Sequence, residues 1–176
     1  AGPRIPAPGA LNAMDSELRW FVAHTRPRCE KKVAAHCLRE GLQHSLPVFR
    51  SVKRYRGKTL VFLKPLFPGY VFIRLRSGAV SRLRQLDPVA NLLEPPEQAE
   101  FAAQLADILR ALGEEVEVRL VPGVVTGQRV TLRSGPLRGV EGVVAERAGL
   151  LEVVLRLDFI GQAAAVRVRA DEVEPA

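Results

Sequence analysis

The chain has 176 residues, of which 47% are hydrophobic and 26% charged, with a formal net charge of +7. This composition suits a globular chain of one or two domains and excludes low-complexity and collagen-like classes. No stretch approaches the roughly 18 consecutive apolar residues that span a bilayer, so no membrane partner is expected.

The charge is unevenly placed. Residues 1–93 hold 17 Lys and Arg against 5 Asp and Glu, residues 94–117 hold 1 against 7, and residues 118–176 hold 8 against 7. The first segment exceeds what solubility requires and points to a polyanionic partner. Residues 1–16 open with "AGPRIPAPGALNA", which lacks the apolar block of a secretory signal, and are expected to be a disordered leader. The two cysteines, Cys29 and Cys37, fall on one expected helix about 12 Å apart along its axis, too far for a disulfide. A reducing cytoplasm fits that usage.

In chain order, Glu17–Thr25 has the bulk of a buried strand. "RPRCEKKVAAHCLREG" follows as a helix, with Pro27 at an early position and Gly41 at its end. Val33, Ala34, Cys37 and Leu38 make its apolar stripe, and Lys32, His36 and Arg39 a second, basic one. A strand, a basic hairpin tip at Lys53–Lys58 and two more strands come next. In "KPLFPGYVFIRL", Val71, Ile73 and Leu75 share one strand face, whereas Tyr70 and Phe72 share the other. An ordinary half-buried strand carries polar groups there, so this aromatic face is a candidate docking surface. A short helix at "AVSRLRQL", a strand at "VANLLE" and a helix opened by Pro95 and Pro96 complete this half. Residues 113–125 read as an extended linker. Short strands are expected at Arg129–Arg133, Val140–Glu146, Leu150–Leu157, Ala164–Arg169 and Asp171–Glu174, closing into a small barrel. The fold class is therefore an α+β N-terminal domain, residues 17–112, with an antiparallel sheet flanked by helices. A linker joins it to an all-β SH3-like barrel at residues 126–176.

Three stretches, "WFVAHTRPRCEKKVAAHCLREG", "KPLFPGYVFIRL" and "GQRVTLRSGPLRGVEGVVAE", resemble the NusG family of bacterial transcription elongation factors. The first two are similar to its N-terminal domain and the third to its KOW motif. The resemblance implies docking of the aromatic face on the clamp helices of RNA polymerase, through His24, Phe67, Pro68, Tyr70 and Phe72. The "RGK" of Arg56–Lys58 ahead of "KPLFPGY" looks like the specialised RfaH-like paralogues. That likeness implies contact with the non-template DNA strand through Arg26, Lys32, His36, Arg39, Arg56 and Lys58, and antitermination by suppressed pausing. Ser81 to Arg84 is the nearest place for a contact to the second large polymerase subunit. A small-subunit ribosomal protein is the partner implied for the KOW domain. Binding to the terminator Rho is doubtful, because "RGVEG" at Arg138–Gly142 replaces the housekeeping turn. Valine-rich Leu150–Arg169, interrupted by Gly161, favours a permanently β barrel in a monomer.

A competing reading is a ribosome-associated KOW-type RNA-binding protein, for which the "LFPGYVF" aromatics have no need. Catalysis is not expected. Cys29 and His36 lie about two helical turns apart, and the three histidines lack partners at metal-ligand spacing. No cofactor is implied.

Overall fold

A computed structural model describes residues 17–114, 116–123, 127–147 and 149–176. The expected leader at 1–16 lies outside them, as do positions 115 and 124–126 of the expected linker. Two compact units are present. One comprises the described residues up to Leu46 together with Pro68–Gln98; the other comprises Pro47–Phe67 together with Ala99–Ala176.

The first unit is built on a four-stranded antiparallel sheet. Its strands are β1 (Arg19–Thr25), β2 (Gln43–Ser45), β5 (Tyr70–Leu75) and β6 (Val89–Leu93), in the order β2-β5-β1-β6. Helix α1 (Glu30–Arg39) precedes β2 and short helix α2 (Val80–Arg84) precedes β6. Alternation along the strands sends Phe21, Ala23, Val71, Ile73 and Leu75 to one face, where they form a core with Val33 and Cys37 of α1 and Leu83 of α2. Burying side chains of this size contributes about 1.5–3 kcal/mol each.

Helix α1 departs from expectation at its N-terminal end. Arg26–Cys29 forms a turn closed by the Cys29 N–H on the Arg26 carbonyl at 3.1 Å, and Arg28 stands at φ +61°. Pro27 therefore occupies the turn, where its fixed φ suits the second position, rather than the helix. Glu30 supplies the acid in the first turn, and Gly41 takes φ +66° just past the C-terminus. Leu38, expected in the buried stripe, is 73% exposed, because the buried arc centres on Val33 and Cys37 and Leu38 lies about a third of a turn from that centre.

The second unit contains a hairpin of β3 (Val48–Tyr55) and β4 (Lys58–Pro65), helix α3 (Gln98–Leu112, from Ala99 on) and a six-stranded antiparallel sheet. The sheet strands are β7 (Val118–Pro122), β8 (Arg129–Leu132), β9 (Glu141–Arg147), β10 (Leu150–Leu157), β11 (Gln162–Arg167) and β12 (Val173–Pro175), in the order β12-β8-β9-β10-β11-β7. Strand β7 lies inside the stretch expected as a linker; it pairs with β11 from Val118↔Val166 to Pro122↔Gln162. Pro122 at its end is tolerated because an edge strand leaves that N–H position unpaired. Arg119 of β7 reaches Glu152 of β10 with two charge-assisted hydrogen bonds of 2.9 and 2.8 Å, and Glu152 is buried. Helix α3 joins this unit through Gln104, which donates to Asp158 Oδ2 at 2.8 Å and accepts from the Asp158 N–H at 3.0 Å. Phe101 meets Phe159 edge to face, with centroids 6.3 Å apart. The N-terminal α/β region followed by a β-rich C-terminal sheet is the fold class the sequence implies.

Candidate interaction site

The second face of the β1–β5 pair carries the cross-strand pairs Trp20↔Arg74, Val22↔Phe72 and His24↔Tyr70. Its middle is covered: Val22 and Phe72 are both 0% exposed. Phe67, ahead of the turn, is 1% exposed. The expectation that Phe67 and Phe72 lie bare for a partner is thus corrected. Large rings at the centre of a sheet gain more from burial in their own chain than from display to water.

The same face opens at its Tyr70 end. His24 is exposed, Tyr70 half-buried, and their rings stack at 5.1 Å between centroids with 19° between planes. Aromatic pairs in this arrangement contribute about 0.5–1.5 kcal/mol beyond burial. The β1–β6 register shifts between His24 and Thr25, leaving Ala90 unopposed. Such a bulge twists the strand locally and re-aims the side chain at its end.

Two hydrogen bonds fix the Pro68-Gly69 turn beside this pair, and two more tie down Arg26 next to it. The Thr25 N–H donates to the Gly69 carbonyl at 2.8 Å, and the Gly69 N–H donates to Glu30 Oε1 at 2.9 Å. The Arg26 N–H donates to the Pro88 carbonyl at 2.9 Å, and Arg26 Nε reaches the Asp87 carbonyl at 2.7 Å. Gly69 has φ +86°, and a Cβ there would stand 3.5 Å from the His24 ring. The glycine is needed for its backbone conformation more than for space. Pro68, His24 and Tyr70 thus form a small, pinned, partly apolar prominence, with Pro68 exposed.

The basic residues divide between elements. Lys32 and Arg39 are exposed on α1, and His36 is half-buried on the same helix. Arg26 lies exposed in the turn before it, with its Nε engaged as above. Arg28 escaped the sequence reading; its only signal was the preceding proline. Arg56 and Lys58 sit at the tip of the hairpin, where Tyr55 pairs with Lys58 and Arg56 and Gly57 form a two-residue loop at φ +50° and +75°. Positive φ at both loop positions marks the type I′ turn that matches hairpin twist. Among the described residues, Arg28 and Arg56 are the non-glycine residues at positive φ. Asn or Gly would adopt that conformation at lower cost, so their side chains are candidates for function. Ser81, Arg82 and Arg84 are exposed around α2. Among the described residues, no cluster of three or more His, Cys, Asp or Glu is arranged to hold a metal ion, and no helix is long and apolar enough to cross a membrane.

The sequence model of a family described as transcription termination factor nusG matches residues 18–110. The chain belongs to the NusG family. It is thereby a member of a family of transcription factors. A solved Thermotoga maritima NusG, described under domain interaction in that protein, aligns at TM-score 0.50 and 22% identity over 90% of this chain and 97% of that one. A chain of the MjSpt4:Spt5 complex aligns at TM-score 0.30 and 17% identity over 89% of this NusG-family chain and 96% of its own. No curated protein matches the chain.

Proposed function

We propose that this NusG-family protein is a cytoplasmic elongation and antitermination factor that docks on the clamp helices of RNA polymerase. The observation that carries the proposal is the pinned prominence of His24, Pro68 and Tyr70 in a family of transcription factors. A rigid aromatic anchor loses little side-chain entropy on binding and suits the groove of a helix pair. Phe67 and Phe72, being buried, support the edge from beneath in this reading. Arg26, Arg28, Lys32, His36 and Arg39 near α1, with Arg56 and Lys58 on the hairpin, offer cations to the exposed non-template strand.

The protein makes and breaks no bond in this reading. It binds the closed, elongating polymerase more tightly than the paused one and shifts the population by that difference. Residues 126–176 are the KOW domain in this reading, with a small-subunit ribosomal protein as its partner. Rho is not proposed, for want of the housekeeping turn at Arg138–Gly142.

The test is co-purification with bacterial core polymerase. His24→Ala with Tyr70→Ala should lose binding while the melting transition stays cooperative. Retained binding by the double variant would remove the docking surface. Unchanged pause lifetimes in reconstituted transcription, with no polymerase bound, would favour the ribosome-associated reading.

A further inference from the structure

The β3–β4 hairpin is a two-stranded sheet to which, among the described residues, no third strand is added. Tyr55 and Lys58 close its two-residue loop, and a closing pair of that kind exchanges both of its backbone hydrogen bonds. Bonded and unbonded pairs alternate from there, so Arg54↔Thr59, Val52↔Val61 and Arg50↔Leu63 are unbonded pairs. The N–H and C=O groups of Arg50, Val52 and Arg54 therefore turn away from β4, toward the open edge of β3. The matching row on the outer edge of β4 ends at Pro65, a residue without an N–H. The edge of β3 is thus the better supplied with donors.

The side chains of these unbonded pairs share one face of the ribbon, because alternate residues of a strand point the same way. On it stand Val52 at 62% exposure, Val61 at 48% and Leu63 at 55%, flanked by exposed Arg50 and Arg54. No ring stands there, since Phe49, Tyr55 and Phe62 all belong to the opposite face. The segment 48–65 holds six Lys and Arg and no Asp or Glu, and among the described residues none of the six is in an ion pair. Positive charge on an open edge keeps a second copy of the chain from pairing there. It leaves the same edge attractive to a strand of opposite charge.

We infer that the outer edge of β3 takes up an extended acidic segment of a partner protein as an antiparallel third strand, with acidic side chains opposite Arg50 and Arg54 and an apolar one opposite Val52. An added strand hydrogen-bonds the outward groups of β3. Its residues opposite Arg50, Val52 and Arg54 fall on the aliphatic face, about 5 Å away between Cβ atoms. The segment recognised is therefore acid-x-apolar-x-acid. Charge selects an acidic partner. The aliphatic cluster and the unpaired backbone select a polypeptide over a nucleic acid, because this face offers bases no aromatic ring to stack on. The surface lies apart from His24 and Tyr70 and does not use the tip cations Arg56 and Lys58, so it adds a partner to the function proposed above and does not depend on it.

The test is fluorescence anisotropy of the full chain with a labelled Thr-Glu-Thr-Val-Thr-Glu-Thr peptide, a copy N-methylated at both Glu and at Val, and a copy with Lys for Glu. The acidic peptide should bind saturably and the lysine copy should not. N-methylation should weaken binding about 10-fold or more, because the hydrogen bonds it would donate to β3 are lost. Arg50→Ala with Arg54→Ala should weaken it about 3- to 10-fold. Lys53→Ala with Lys64→Ala removes equal charge from the opposite face and should cost much less. Val52→Pro deletes an outward N–H while sparing the bonds to β4, and should weaken binding about 10-fold. Where that variant disturbs the ribbon, the N-methylated peptide reads the same hydrogen bonds on the unaltered chain. No saturable binding of the acidic peptide, equal binding of its N-methylated copy, or equal losses from the arginine and lysine pairs would overturn the site. Single-stranded DNA bound in place of the peptide, and lost in the Arg50→Ala with Arg54→Ala variant, would overturn it in favour of a nucleic acid on this face.

Discussion

Replacing Glu30 by alanine should loosen the turn that presents Pro68 and Tyr70. The Glu30 carboxylate accepts the Gly69 N–H at 2.9 Å in a half-buried position. It also stands in the first turn of α1, where negative charge meets the helix dipole. A hydrogen bond to a charged acceptor contributes about 1.5–3 kcal/mol, reduced here by partial solvent access to roughly 1–2. The dipole adds about 0.3–1 kcal/mol. Glu30→Ala should therefore destabilise by about 2 kcal/mol, a fall of roughly 4–8 °C in melting temperature for a chain of this size. Glu30→Gln keeps an acceptor for Gly69 and loses the charge, so it should fall by only about 1–3 °C. Differential scanning calorimetry reads both variants, and polymerase co-purification should weaken in the same order. Equal melting for alanine and glutamine, or full polymerase binding by the alanine variant, would refute the role assigned to the Gly69 hydrogen bond.

Three other outcomes test the packing of each unit by itself. Gly142→Ala places a Cβ 2.6 Å from the Val154 carbonyl oxygen and 2.6 Å from Val153 Cγ1, so urea titration should show a loss of about 1–3 kcal/mol. Arg119→Met removes both hydrogen bonds from buried Glu152 and should cost about 2–3 kcal/mol, checked by the same titration. Burial pushes the Cys37 thiol up to about 11, whereas Cys29 is half-buried. A thiol reagent at pH 8 should therefore modify Cys29 in the native chain and reach Cys37 only after denaturation.

The periodicities that sequence can carry were carried well. Helix α3 announces itself through Phe101, Leu105 and Ile108, all buried, and the apolar alternation in β5 names the residues that pack with α1. Both are local patterns of one element. The errors arise where a second layer decides. Phe72 reads as a docking ring because alternation tells which residues share a face but not whether that face is covered. Leu38 reads as core because it lies close to the apolar stripe, although the buried arc is narrow. Strand β7 hides because its partner β11 lies more than forty residues on, and Arg119, which reads as linker polarity, finds Glu152 only across the sheet. The candidate site was half legible. Tyr70 could be named from the strand and His24 from the family resemblance, whereas the Glu30 hold on Gly69 depends on a pairing that no spacing rule supplies.

Strands β2 and β5 are hydrogen-bonded neighbours, with Ser45 opposite Phe72, yet the chain between them runs out through β3 and β4 and back. The Leu66 N–H closes the base of that excursion on the Pro47 carbonyl at 2.9 Å. The arm can therefore be lengthened or shortened by matched pairs of residues without moving a single partner in the sheet that holds Tyr70. A gene drifting under selection could tune how far this arm extends, and which chemistry it carries at its end, while the anchoring surface stayed as it was.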